Sequence, residues 1–337
     1  GGGGGFVVEE QYSIDNALKK FILHASPTVE KHAISGNKKI SSNTIELGQS
    51  LFSFDLKEIQ GGVVGSAGTG SMTWESSIAM ALFFSENPDL LRGHVIELGS
   101  GVGLGGILTQ VACQFAAKKN ATSSHNGKRS PLSSITLTDY NPDVLEQCIK
   151  NIQRAKLEKN SENDVYTNIS SLNWYDFFPK DLHPHKKCTN SKPTHNYDTV
   201  IASDCAYLRE HIKPLAETIS QLLGCAKENQ LHLFGPYNRA VLHELITELR
   251  RERGMLVTVQ EIKLERYRLK SGSHEVDLRE SREIFTKQAD SLFEENACEY
   301  ASFNTAHFLH IAATRRRKDQ EDREREIAAK SAMSAID

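Results

Sequence analysis

The chain has 337 residues, of which 39% are hydrophobic and 25% charged, and its formal net charge is -3. That is enough chain to bury a full core, and the balance of an ordinary soluble protein. It gives no global basic surplus for nucleic acid, no apolar run of membrane-spanning length and no charged-then-apolar leader. A reducing cytoplasmic setting, with the nucleus as a second compartment, is the expectation. The six cysteines stand far apart without a Cys-x-x-Cys pair and read as free thiols.

Gly1–Gly5 carries no fold information. Residues 1–60 form a lead-in: an amphipathic stretch from Ile14 to Leu23, a polar loop, then the alternating segment Thr44 to Leu56, which predicts a half-exposed strand in a cap over a larger domain. Glycine is frequent from Gly61 to Gly70, and Gly70-Ser71-Met72-Thr73-Trp74-Glu75 leads into a helix predicted from about Trp74 to Ser85, with Thr73 as its N-cap.

The organising stretch is His94 to Ile107, a short β-branched run ending in Glu97 and followed by Gly99, Gly101 and Gly103 and an apolar helical run. This predicts a buried strand, a tight turn and a helix start, with glycines letting a ligand approach the backbone. A carboxylate at the strand tip repels a diphosphate and favours an ammonium, so Glu97 is expected to face a cationic amino group. Gly101, Gly103 and Gly106 also fit a dinucleotide pattern, but that match starts two residues late for the strand and leaves Glu97 without a role.

A helix from Leu104 to about Lys118 and a polar insert, Lys119 to Ser134, precede the strand Ile135 to Asp139. Asp139 therefore ends the neighbouring strand, where a carboxylate can accept hydrogen bonds from both hydroxyls of a ribose. Asn141-Pro142 then opens another helix. Asp164 to Ile169 reads as a third strand, and Leu172 and Trp174 after it can flank a planar ring. The His183, His185, Cys188 and His195 stretch fits no zinc spacing, and no metal is expected. A fourth buried strand, Tyr197 to Ser203, carries Asp204 at its tip and Tyr207 three residues on. Further predicted elements are a helix His211–Ala226, strand Gln230–Phe234, helix Asn238–Arg253, strand Leu256–Lys263, a helix near Ser281–Glu294, and a late strand His307–Ala313 that completes seven strands. Arg315-Arg316-Arg317-Lys318 opens a charged tail, residues 315–337.

Glu97 two positions before Gly99-x-Gly101-x-Gly103 resembles the first motif of the seven-strand S-adenosylmethionine-dependent methyltransferases. The Thr73-Trp74-Glu75 lead, Leu172-x-Trp174 and Asp204-x-x-Tyr207, in that order, resemble methyltransferase family 16, the mostly lysine-directed branch. Asn173 stands where an acidic residue is often found, and Pro236-Tyr237-Asn238-Arg239 is also similar to the family. The resemblance implies an α/β, doubly wound, Rossmann-like sheet over residues 61–314 and S-adenosyl-L-methionine as cofactor. Trp74, Glu97, Gly99, Gly101, Gly103, Asp139, Leu172, Trp174 and Ser203 would bind it. Asp204 and Tyr207 would orient a lysine amine of a protein substrate. The Thr-Trp-Glu lead looks most like enzymes acting on translation elongation factors. A monomer without membrane or direct nucleic-acid contacts is expected. The alternatives are a small amine or a protein histidine as acceptor, a nicotinamide-dependent oxidoreductase, and a cofactor-binding scaffold without catalysis.

Overall fold

The computed structural model describes residues 6–13, 18–25, 50–59, 68–123, 132–155, 157, 165–177, 197–224, 229–263, 267–271, 274–275 and 307–315. In chain order these give β1 (Phe6–Ser13), β2 (Leu18–Ala25), β3 (Ser50–Lys57), α1 (Glu75–Glu86), β4 (Gly93–Leu98), α2 (Leu104–Ser123), β5 (Leu132–Asp139), α3 (Pro142–Arg154) and β6 (Tyr166–Ser171). There follow β7 (Thr199–Ser203), α4 (Ile212–Leu222), β8 (Gln230–Pro236), α5 (Ala240–Arg251), β9 (Met255–Lys263), β10 (Tyr267–Ser271), β11 (His274–Glu275) and β12 (His307–Arg315). The helix expected near 281–294, the histidine-rich stretch from 178 to 196 and the tail beyond Arg315 lie outside the described residues.

The main sheet has the order β6-β5-β4-β7-β8-β12-β9. Its first five strands are parallel and β12 runs antiparallel between β8 and β9. The fold class is therefore the doubly wound seven-strand sheet read from the sequence. The chain moves outward from β4 through β5 to β6, then returns to β7 on the other side. The crevice of such a sheet opens beyond the carboxyl ends of β4, β5 and β7. Parallel central strands are covered on both faces, which is why Val95, Ile96, Val200 and Ile201 are all fully buried. One core layer joins α1 and α2 to one face, and a second joins α4 and α5 to the other. Asn141 caps α3 as its position before Pro142 suggests, its Oδ1 accepting from the Asp143 and Val144 amides at 2.9 and 3.4 Å.

One sequence reading becomes definite and one changes. The amphipathic stretch ending at Leu23, given no element type by its pattern, is strand across Leu18–Ala25: Lys19, Phe21 and Leu23 alternate onto one inward face, so the working period is two. Thr73 does not cap α1. Trp74 occupies the N-cap position with no side-chain cap bond, and the Thr73 hydroxyl and amide are both engaged by Glu58. The lead-in also builds a second sheet, β11-β10-β1-β2-β3, in which β10 pairs parallel with β1 although some 250 residues of chain lie between them. Val8, Phe21, Leu23, Phe54 and Leu56 of this sheet share a core layer with Ile78, Phe84 and Leu108 of the larger unit.

Candidate functional site

A cavity of about 490 Å³ lies at the carboxyl ends of β4, β5 and β7. Its floor is the turn after β4. Gly99, Gly101 and Gly103 all have positive φ, at 62°, 54° and 97°. Gly99, Ser100 and Gly101 line the cavity, and a Cβ on Gly101 would sit 3.1 Å from the Gly70 carbonyl oxygen. Gly103 is not on the wall. Its missing Cβ makes room for Cys148, whose Sγ would be 2.8 Å away.

Asp139 meets this turn from β5. Its Oδ2 accepts the Gly101 amide at 3.2 Å and its Oδ1 the Asn141 amide at 3.0 Å. Burial raises its carboxyl above the ordinary value, opposed by the backbone donors Asn141, Gly101 and Tyr140. Leu172 and Trp174 line the next side, and the Trp174 indole lies 3.3 Å from where a Gly99 Cβ would be. Asn173 accepts the Tyr175 amide at 3.1 Å, which holds the short helical turn carrying Trp174.

Glu97 departs from the expectation. It is 1% exposed, does not line the cavity, and sits under the start of α2. Cβ atoms on Gly105 and Gly106 would fall 2.3 and 2.8 Å from its two carboxylate oxygens. Among the described residues neither oxygen has a hydrogen-bond partner. Burial favours the neutral form and pushes its carboxyl up to about 8, only partly offset by the nearby Gly106 amide. Buried beneath the turn, this carboxyl is off the cavity wall on which the sequence placed a partner for an ammonium.

The third side carries the polar groups. Asp204 follows β7 in the left-handed region, with φ 56°, the one such non-glycine among the described residues. An aspartate tolerates this conformation at some strain, and strain of this kind collects at functional sites. Three contacts hold it: its amide donates to the Phe234 carbonyl at 2.9 Å, Ser76 Oγ donates to Oδ2 at 3.1 Å, and Arg239 pairs with Oδ1. Both members of the ion pair are buried and both line the cavity. Ser203 lies beside Asp204, its Oγ 2.9 Å from that of Ser77. Opposite, the Tyr207 hydroxyl accepts from Thr69 Oγ1 at 3.0 Å, and Trp74 Nε1 donates to the Thr69 carbonyl at 3.0 Å. Burial pushes the Tyr207 phenol up to about 12, so it stays protonated.

The structure thus brings Trp74, Gly99, Gly101, Asp139, Leu172, Trp174, Ser203, Asp204 and Tyr207 around one cavity, and leaves Glu97 and Gly103 behind it. Sequence reasoning missed Thr69 and Ser76 and gave Arg239 no partner. Thr69 and Ser76 carry no signal beyond lying close to Trp74 in the chain, whereas Arg239 stands in the family-like Pro236–Arg239 stretch at the carboxyl end of β8. The donor set fits the expected cofactor: a Cβ-free turn, a carboxylate at a strand tip for a diol, and an apolar slot for a planar ring.

Residues 56–239 match the model of a family described as lysine methyltransferase. The chain is 29% identical over 178 residues to calmodulin-lysine N-methyltransferase of Arabidopsis thaliana, covering 52% of this chain and 48% of that protein. It is 26% identical over 208 residues to protein N-lysine methyltransferase METTL21A of Danio rerio, covering 61% and 74% respectively. The chain therefore spans about half the length of the first of these relatives. No helix among the described residues is long and apolar enough to cross a membrane.

Proposed function

The chain belongs to the lysine methyltransferase family, and on that premise we propose that it transfers a methyl group from S-adenosyl-L-methionine to a lysine side chain of a protein substrate. The observation that carries this is the convergence of the family-like motifs on one cavity at the crevice of the sheet. The cofactor supplies a methyl already activated on a sulfonium, so the protein's task is alignment of the nucleophile and exclusion of water.

The Gly99–Gly101 backbone would hold the methionine part, Asp139 would accept from the ribose hydroxyls, and Leu172 with Trp174 would flank the adenine. Trp74 and Ser203 close the wall between them. Asp204 and Tyr207 orient the substrate amine. Asp204 does so as one half of a buried ion pair, since Arg239 and Ser76 already occupy its two oxygens. It therefore acts as a fixed acceptor and not as a mobile base. Tyr207, whose own oxygen accepts from Thr69, keeps its O–H to donate. The lysine arrives protonated, and desolvation at the cavity mouth lowers its pKa so that a proton leaves to water before transfer. Glu97 serves from beneath, filling the space under the glycine turn.

A translation elongation factor is one candidate substrate, on the Thr73-Trp74-Glu75 lead. A calmodulin-like protein is another, on the activity for which the Arabidopsis relative is named. The protein is read as cytoplasmic, with a nuclear fraction, and monomeric. The test is a cell extract treated with purified protein and a heavy-methyl donor, followed by mass spectrometry. Heavy methyl on lysine side chains supports the proposal. Label on histidine or on small amines alone selects the other acceptor classes, and no label at all refutes transfer.

A further inference from the structure

Outside the cavity, the buried charges of the small sheet converge on one cavity wall. Lys19 on β2 places its Nζ 3.1 Å from Oε1 of Glu10 on β1 and 3.1 Å from Oε1 of Glu58, just after β3. All three side chains are at most 12% exposed. Burial alone would lower the Lys19 ammonium, but the two carboxylates outweigh it and hold the group above the ordinary lysine range.

The cluster does not end there. Lys19 Nζ also donates to Thr73 Oγ1 at 2.6 Å, while the Thr73 hydroxyl and amide both donate to Glu58 Oε1 at 2.7 Å. Thr73 lines the cavity, as do its neighbours Met72 and Trp74. A second tie runs parallel, the Ile59 amide donating to the Ser71 carbonyl at 3.0 Å. At its other end the same segment is held by Thr69, bonded to Tyr207. Its middle touches the glycine turn, where the Gly70 oxygen approaches Gly101. The wall from Thr69 to Trp74 is therefore pinned between the small sheet and Tyr207.

We propose that Glu58, neutralised by Lys19, is a positioning residue for the cofactor site: it acts through Thr73 to set the spacing between the Trp74 wall and the glycine turn. A fully satisfied buried polar network specifies one geometry, and loses it when a single member is removed. Packing alone would be served as well by apolar residues and needs no bond to a cavity-lining threonine. The inference rests on reading the cavity as the site for S-adenosyl-L-methionine.

The test uses the full chain with Glu58→Gln, Glu58→Leu and Thr73→Val. Three quantities are read: thermal midpoint, Kd for S-adenosylhomocysteine by calorimetry, and KM for the methyl donor against kcat. Glu58→Leu removes the acceptor for two donors, and is expected to raise Kd and KM about tenfold or more, with kcat at saturation within about threefold. Glu58→Gln keeps an acceptor for Thr73 and is expected to stay within about threefold of the parent in Kd. Should Glu58→Leu fail to fold, Thr73→Val carries the test, with a loss of about threefold or more in affinity expected. Parent-like affinity in the folded Glu58→Leu chain, or in Thr73→Val where that chain does not fold, overturns the inference alone. So does a Glu58→Gln chain as weak as Glu58→Leu. A parent chain that binds no S-adenosylhomocysteine overturns the cavity reading, and this inference with it.

Discussion

Replacing Glu97 by Gln tests the placement of the carboxyl under the glycine turn. Burial carries that group from its ordinary 4.5 up to about 8. The folded chain therefore holds a proton that the unfolded chain has released over this interval. The stability linked to it is fully present below about pH 4.5 and is lost as pH rises through about 8. At about 1.4 kcal/mol per unit, the loss between about pH 6 and about pH 9 amounts to roughly 2–3 kcal/mol. For a domain of this size that is on the order of 5–10 °C in thermal midpoint. Gln has the same shape and does not titrate. The assay is the difference in midpoint between Glu97→Gln and the parent, measured by calorimetry across that range. The parent is expected to lose ground to the variant as pH rises, while S-adenosylhomocysteine affinity at neutral pH stays within about twofold, since Glu97 is off the cavity wall. Parallel pH profiles, or loss of affinity in Glu97→Gln, would refute the placement and return Glu97 to the role of an ammonium partner.

Asp204→Asn, which keeps the shape but removes the charge facing Arg239, is expected to slow methyl transfer about 100-fold or more while changing S-adenosylhomocysteine affinity less than about threefold. Single-turnover kinetics beside calorimetry check it, and equal losses in both would contradict the assignment. Gly103→Ala combines a φ of 97° with a Cβ 2.8 Å from Cys148 Sγ, and should destabilise by about 1–3 kcal/mol in urea unfolding. His232 and His310 pack ring to ring in the core, Nδ1 to Nε2 at 2.9 Å. Burial lowers them to about 3 and about 4, helped for His232 by His310. Their neutral forms contribute stability above about pH 6.5 that is lost as pH falls. His310→Phe should therefore retain about 2 kcal/mol more of its neutral-pH stability at about pH 5 than the parent does, read from denaturant midpoints at the two pH values.

The centre of the main sheet was legible because β4, β5 and β7 carry β-branched residues, run into glycine or aspartate at their tips and are each followed by a helical pattern. Asp139 and the pair Leu172 and Trp174 could be placed for the same reason: a strand tip fixes where its next residues point. Of the small sheet, β3 was legible as the alternating, half-exposed strand before Leu56, but its partners were not. β10 and β1 are neighbours only through long-range pairing, and no local pattern in either names the other. The direction of Glu97 was hidden too, because a strand-tip carboxylate can face the crevice or turn beneath the helix. Only Gly105 and Gly106, which leave it space, record the choice. Arg239 lies 35 residues from Asp204, and the ion pair exists only once β7 and β8 lie side by side.

The central claim is that this cavity takes a sulfonium donor and not a dinucleotide. Calorimetric titration of the purified chain with S-adenosylhomocysteine and, separately, with NADH tests it most directly. Saturable one-to-one binding of S-adenosylhomocysteine, abolished by Asp139→Ala, is expected, with no binding of NADH. Binding of NADH, or S-adenosylhomocysteine affinity that survives Asp139→Ala unchanged, would contradict it.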